Sequence, residues 1–221
     1  MRLCVATPSR GLVHSRTIEA VHQAIRQAPV EFAGWALTHD LPIPVCHERV
    51  CEMALETGAE LIWLVEEDVV PPANALVAML GAIQERRAAG AFVDYPIGHD
   101  PTWNCAQVAG DGCVVWCGTG CLLLSREAFD ALPRPWFDNR HEVEVKVRPD
   151  GVSVREFPKP YEYGGQDIGF TLSLWRRGVR IVYVPPEVAL CQHLYVETWG
   201  HRNVNNGAHR MSVRAGPERW L

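Results

Sequence analysis

Short apolar runs alternate with segments of helical period along the first part of the chain. Residues 3–6 form an apolar run closed by Thr7-Pro8-Ser9-Arg10-Gly11, a group of turn formers. Ile18, Val21, Ala24 and Ile25 then recur at helical spacing and predict a helix over 17–27 with these side chains on its inner face. A second run, 32–38, ends in His39-Asp40, and Pro42 and Pro44 break the chain. Residues 45–57 are helical again, with Cys46, Val50, Met53 and Ala54 inward and Gly58 as C-cap. Residues 61–65, Leu-Ile-Trp-Leu-Val, are apolar without alternation, the pattern of a strand buried on both faces. An amphipathic helix over 74–88 follows, its last turn carrying Arg86 and Arg87, which suits the helix dipole. Strand, helix, strand, helix, strand, helix is the order of a parallel α/β sheet.

The second half reads differently. Residues 91–95 and 113–116 predict strands, and 127–132 a short helix. Val143, Val145 and Val147 alternate up to Pro149-Asp150-Gly151, and Val152 and Val154 alternate after it, so 142–156 predicts a β-hairpin. A helix over 166–177 and a strand over 179–184 come next, and the end of the chain is irregular. One domain is expected over 1–221: a nucleotide-binding lobe at 1–95, an acceptor and catalytic lobe at 96–193, and a tail or lid at 194–221.

With 48% hydrophobic and 21% charged residues the chain is an ordinary globular protein rather than a disordered one. No apolar run approaches the roughly 20 residues that span a bilayer. The N-terminus enters a strand directly, so no leader peptide and a cytoplasmic location are expected. A net charge of −5 argues against a nucleic-acid binder that uses its whole surface. The eight cysteines contain no C-x-x-C pair, and buried small apolar side chains explain them better than zinc or disulfides.

Candidate chemistry concentrates where strands end. The run 61–65 passes straight into Glu66-Glu67-Asp68. Open α/β sheets place their ligand crevice at such carboxyl ends. Strand alternation would turn Glu66 and Asp68 one way and Glu67 the other. Converging carboxylates call for a cation, commonly a divalent metal on a ligand's phosphates. A solvated acidic loop is the plain alternative. Gly118-Thr119-Gly120 precedes an apolar run, and Gly164-Gly165-Gln166-Asp167 opens the 166–177 helix. Pro185-Pro186 and then His193 follow the last strand.

Taken in this order, the loop Thr7-Pro8-Ser9-Arg10, Glu66-Glu67-Asp68, Gly118-Thr119-Gly120 with the following Leu132-Pro133-Arg134-Pro135-Trp136-Phe137, Gly164-Gly165-Gln166-Asp167, and His193 resemble the GT-A glycosyltransferases, most closely the family 2-like enzymes of bacteria and phages. The resemblance covers nearly the whole chain. It implies a GT-A, Rossmann-like α/β fold: a mostly parallel sheet flanked by helices, here with an added hairpin in the C-terminal half. It also implies a metal-dependent transfer of sugar from a UDP- or GDP-sugar to an acceptor hydroxyl. Glu66-Glu67-Asp68 looks like the Asp-x-Asp motif with Glu in its first position. Asp68 and His193 would then ligate Mn²⁺ or Mg²⁺, with Glu66 on the ribose or a metal-bound water. Asp167 looks like the inverting base, with Gln166 where Glu is usual. Thr7, Pro8, Arg10 and Asp40 would hold the nucleotide, and Gly118 and Gly120 would let backbone approach the donor sugar. Arg49, in His47-Glu48-Arg49, takes the place of the arginine of the family's Ala-Arg-Asn helix. Trp103, Trp136 and Trp199 are candidate stacking platforms.

Other readings stay open on the residues alone. Asp167 also suits a helix N-terminus, and His193 a structural role. From 193 onward four arginines face two acids, which fits a lid over a diphosphate or a plain solvated tail. The chain has neither long apolar segments nor an extra domain for a lipid or polysaccharide acceptor, so a soluble one is expected: a protein, a small glycan or modified phage DNA. The alternatives in class are a sugar-1-phosphate nucleotidyltransferase and a non-catalytic sugar-nucleotide binder. The former would want a basic, glycine-rich phosphate loop after the first strand, of which Thr-Pro-Ser-Arg-Gly supplies little.

Overall fold

The computed structural model describes residues 1–9, 11–97, 105–138, 141–148, 151–158 and 165–194. Its first half runs β1 (Arg2–Thr7), α1 (Ser15–Gln27), β2 (Glu31–Leu37), α2 (Val45–Glu56), β3 (Leu61–Val65), β4 (Val69–Val70), α3 (Ala75–Arg86) and β5 (Gly90–Val93). The second half adds β6 (Ala106–Val108), β7 (Val114–Cys117), β8 (Cys121–Ser125), α4 (Arg126–Asp130), β9 (His141–Arg148), β10 (Gly151–Pro158), α5 (Gln166–Arg176), β11 (Ile181–Val184) and β12 (Gln192–His193).

Six strands form the central sheet in the order β11-β5-β8-β3-β1-β2. β1 lies between β2 and β3 and is parallel to both. β11 is parallel to β5, and only β8 runs against its neighbours β3 and β5. The fold is thus the expected mostly parallel α/β sheet with flanking helices. From β1 the chain first crosses to β2 on one side and then returns to β3 on the other. Right-handed crossovers therefore put α1 and α2 on opposite faces and open a crevice at the carboxyl ends of β1 and β3. The unbroken apolar run of β3 is explained by its central place: all five residues are buried, against β1 on one edge and β8 on the other.

The expected hairpin is present as antiparallel β9 and β10, with Gly151 opposite Arg148; its tip at Pro149 and Asp150 lies outside the described residues. Gly58 follows α2 with φ +73, a left-handed conformation that favours glycine. One helical face differs from expectation. α1 buries Thr17, Ala20, Val21 and Ala24, while Ile18 is 40% exposed. The Thr17 hydroxyl donates to the Glu67 carbonyl (3.3 Å), and this tie turns the inner stripe by one position. All eight cysteines are buried and none is in a disulfide.

Candidate active site

β3 stops at Val65, and Glu66 to Val69 form a turn closed by the Val69 N–H donating to the Glu66 carbonyl (3.2 Å). Strand alternation therefore does not extend through the three carboxylates, and they fan out from the turn. The Glu67 carboxylate accepts from Ser9 Oγ (2.9 Å), while its carbonyl accepts the His14 N–H (2.9 Å). Glu67 thus turns away and ties the β3 end to the β1 loop and the start of α1. Glu66 Oε1 accepts from Thr119 Oγ1 (2.8 Å). Asp68 Oδ2 lies 3.5 Å from His193 Nε2.

Two short elements bring that last pair together. β4 and β12 pair antiparallel with His193 opposite Val69, and the Leu194 N–H donates to the Asp68 carbonyl (2.7 Å). His193 Nδ1 donates to the Pro96 carbonyl (3.0 Å), which leaves Nε2 as the nitrogen turned to the carboxylate. A second nitrogen spent on a carbonyl is how metal-binding histidines are oriented. The donor set, one carboxylate oxygen and one imidazole nitrogen, suits Mn²⁺ and also accommodates Mg²⁺. Among the described residues no group of three or more His, Cys, Asp or Glu side chains is arranged for a metal. Among the described residues the site brings together two side chains able to ligate such an ion, Asp68 and His193.

The reversed direction of β8 builds the next part. Because it is antiparallel to β3, its first residue Cys121 sits opposite Val65. Gly118-Thr119-Gly120 is thereby delivered to the carboxyl end of β3, where Glu66 N–H donates to the Gly120 carbonyl (3.3 Å). The two glycines have a packing cause. A Cβ on Gly120 would lie 2.5 Å from Tyr95 Cε1, and one on Gly118 would meet the Tyr95 hydroxyl and Cys105 Sγ. The space beside both α-carbons is filled by buried Tyr95, which gives the two glycines a packing cause of their own. Tyr95 accepts the Gly120 N–H (3.2 Å) and stands edge-on to His193, with ring centroids 5.3 Å apart.

Asp167 stands in the first turn of α5, behind Gly165 in a left-handed conformation. It is inside the helix rather than at its N-cap. One turn later the Thr171 hydroxyl bridges to β7, accepting from the Cys117 N–H and lying 3.0 Å from the Cys117 carbonyl. This clamp fixes the helix start beside the glycine segment. Burial first, and then the Glu66 carboxylate, push the Asp167 carboxyl up to about 6, against the pull of the Ile168 N–H and of His47. His47, in the first turn of α2, is 3% exposed, with Nε2 3.9 Å from Glu66 Oε1.

The remaining predicted residues divide. Thr7 is buried and accepts from Trp35 Nε1 (2.9 Å), and Pro8 is buried beside it. Asp40 is exposed, and the position of a Cβ on Gly11 would be 3.5 Å from its Oδ1, so the loops after β1 and β2 meet. Arg10, Trp103, Trp199 and the tail 195–221 lie outside the described residues. Arg49 is not brought to the site: its guanidinium pairs with Glu52 (2.9 Å) and Glu56 (3.7 Å) on the outer face of α2. Trp136 is no open platform either. Its indole donates to the Phe129 carbonyl (3.2 Å), packs edge-on to Phe129 and carries Arg134 over its face at 4.8 Å. His47, Thr119 and Tyr95 also line this site, without a local sequence signal of their own. Thr119 lay between two noted glycines, and His47 preceded Arg49 in the segment already singled out.

No family model matches this chain, and no curated protein sequence does. Among solved structures, A197 from STIV is similar with a TM-score of 0.59 at 18% identity, covering 87% of this chain and 85% of that one. GalNAc-T7, solved with UDP, GalNAc and Mn²⁺, is similar with a TM-score of 0.53 at 13% identity, covering 88% of this chain and 44% of that one. At such identities the likeness shows the fold alone, and that fold is GT-A-like. It does not single out family 2.

Proposed function

We propose that this chain is a metal-dependent glycosyltransferase that moves a sugar from a UDP- or GDP-sugar to a hydroxyl of a soluble acceptor, with inversion and with Asp167 as base. The observation that supports this best is the gathering of Asp167, Glu66 and the Asp68–His193 pair around Tyr95 at one end of a GT-A-like sheet. A carboxyl near 6 is ionised at neutral pH yet basic enough to accept a proton from a hydroxyl that is attacking a carbon. Glu66, held by Thr119, offers its carboxylate to a donor hydroxyl, and Thr7, Pro8 and Asp40 would hold the nucleotide, joined by Arg10 as the resemblance implies. Asp68 and His193 would hold Mn²⁺ or Mg²⁺. When bound, such an ion neutralises charge on the departing nucleoside diphosphate. No described helix is long and apolar enough to cross a membrane.

The test is nucleoside diphosphate release from UDP-, GDP- and ADP-sugars with Mn²⁺, for wild type and Asp167→Asn. Donor-dependent release, reduced about 10²- to 10⁴-fold in the variant, is expected for loss of a general base. Nearly intact turnover in Asp167→Asn would reduce this carboxylate to a helix-terminus role. Absence of both release and binding with every donor would reject the transferase reading. Pyrophosphate formation from a nucleoside triphosphate and a sugar phosphate would replace it with the nucleotidyltransferase.

A further inference from the structure

With Arg49 turned outward, the first turn of α2 presents a different cation to the site. His47 is wedged inside the protein, its ring centroid 5.3 Å from that of Phe137 and its Nδ1 3.3 Å from Cys46 Sγ. Nε2 has no hydrogen-bond partner among the described residues and lies 3.9 Å from Glu66 Oε1, the oxygen that also accepts from Thr119. That gap is too long for a direct hydrogen bond. A buried ring nitrogen with nothing to bond is costly, whereas a charged ring facing carboxylates is compensated. The titratable groups facing it are Cys46 from α2 itself, Glu66 from the turn after β3 and Asp167 from α5; Phe137 closes the remaining side.

We propose that His47 is a positioning residue, an imidazolium that holds the Glu66 carboxylate against Thr119 and offsets its repulsion of Asp167, so that Asp167 stays ionised as the base. The side chain is too buried to meet substrate itself. Burial alone would discourage its charge, but Cys46 and Glu66 outweigh burial and lift the imidazole to about 9. In the reverse direction, His47 pulls the Asp167 carboxyl down while Glu66 pushes it up. This role rests on reading Asp167 as the base.

The experiment follows the Asp167 carboxyl by carbon NMR across pH in wild type and in His47→Gln, with urea unfolding as a control for the fold. The proposal expects folded His47→Gln to bind the Asp167 proton about three- to tenfold more tightly. The acidic limb of kcat/KM should move up by the same factor. An unmoved carboxyl midpoint in the folded variant overturns it. Should His47→Gln not fold, nitrogen shifts of the wild-type ring decide: a doubly protonated His47 at pH 7.5 supports the proposal and a neutral one overturns it. A moved carboxyl with no donor turned over supports the charge role and counts against the transferase reading alone.

Discussion

A proposed base that sits uneasily in its fold should reveal itself in stability as well as in turnover. Asp167, half-buried in the first turn of α5, carries its carboxyl up to about 6 in the folded protein against an ordinary 3.8, chiefly because partial desolvation disfavours its charge and the Glu66 charge repels it. A rise of this kind means that the folded protein holds the proton more tightly than the unfolded chain does. Its contribution to stability is complete below the unfolded value and is lost as pH rises through about 6. At about 1.4 kcal/mol per pH unit the ionised group costs at most about 3 kcal/mol, and its partial exposure to water reduces this to about 1–2 kcal/mol. Asn keeps the shape and an acceptor for the Ile168 N–H but carries no charge. Asp167→Asn should therefore be more stable than wild type by about 1–2 kcal/mol at pH 8, the gap closing toward pH 4 as wild type protonates in both states. Urea unfolding of both proteins at pH 4, 6 and 8 measures it. A gap of equal size at all three pH values, or a variant less stable than wild type at pH 8, refutes the reasoning. A more stable and less active variant is the trade expected of a group retained for chemistry.

Two further outcomes follow from packing and from the ligand pair. Gly120→Ala drives a methyl into the Tyr95 ring and should cost about 1–3 kcal/mol in urea unfolding. The cost should largely vanish in a Tyr95→Leu background; an equal cost in both backgrounds would show that Tyr95 is not the obstacle. Binding of Mn²⁺ in the presence of UDP, read by electron paramagnetic resonance, should weaken more than about tenfold in Asp68→Asn and in His193→Ala. Glu67→Gln, whose parent carboxylate faces Ser9, should leave that binding within about twofold, and equal losses in all three would disqualify the pair as a metal site.

Local pattern alone determined a good deal of this protein. Periodicity separated strands from helices, and the unbroken run 61–65 marked the centre of the sheet, because a strand covered on both faces has no polar side to show. Asp68, Asp167 and His193 stood out because each follows or opens an element, where side chains reach the edge of a sheet. The tertiary structure decided what those residues meet. A reversed β8 sets Thr119 against Glu66, and a two-residue strand pair sets His193 against Asp68. Neither is legible locally, since strand order and pairing depend on contacts between distant segments. The phase of α2 likewise put His47 inside and Arg49 outside, two positions apart on a helix and therefore on different faces. The glycines at 118 and 120 were visible as glycines, but only packing shows that Tyr95 is what they make room for.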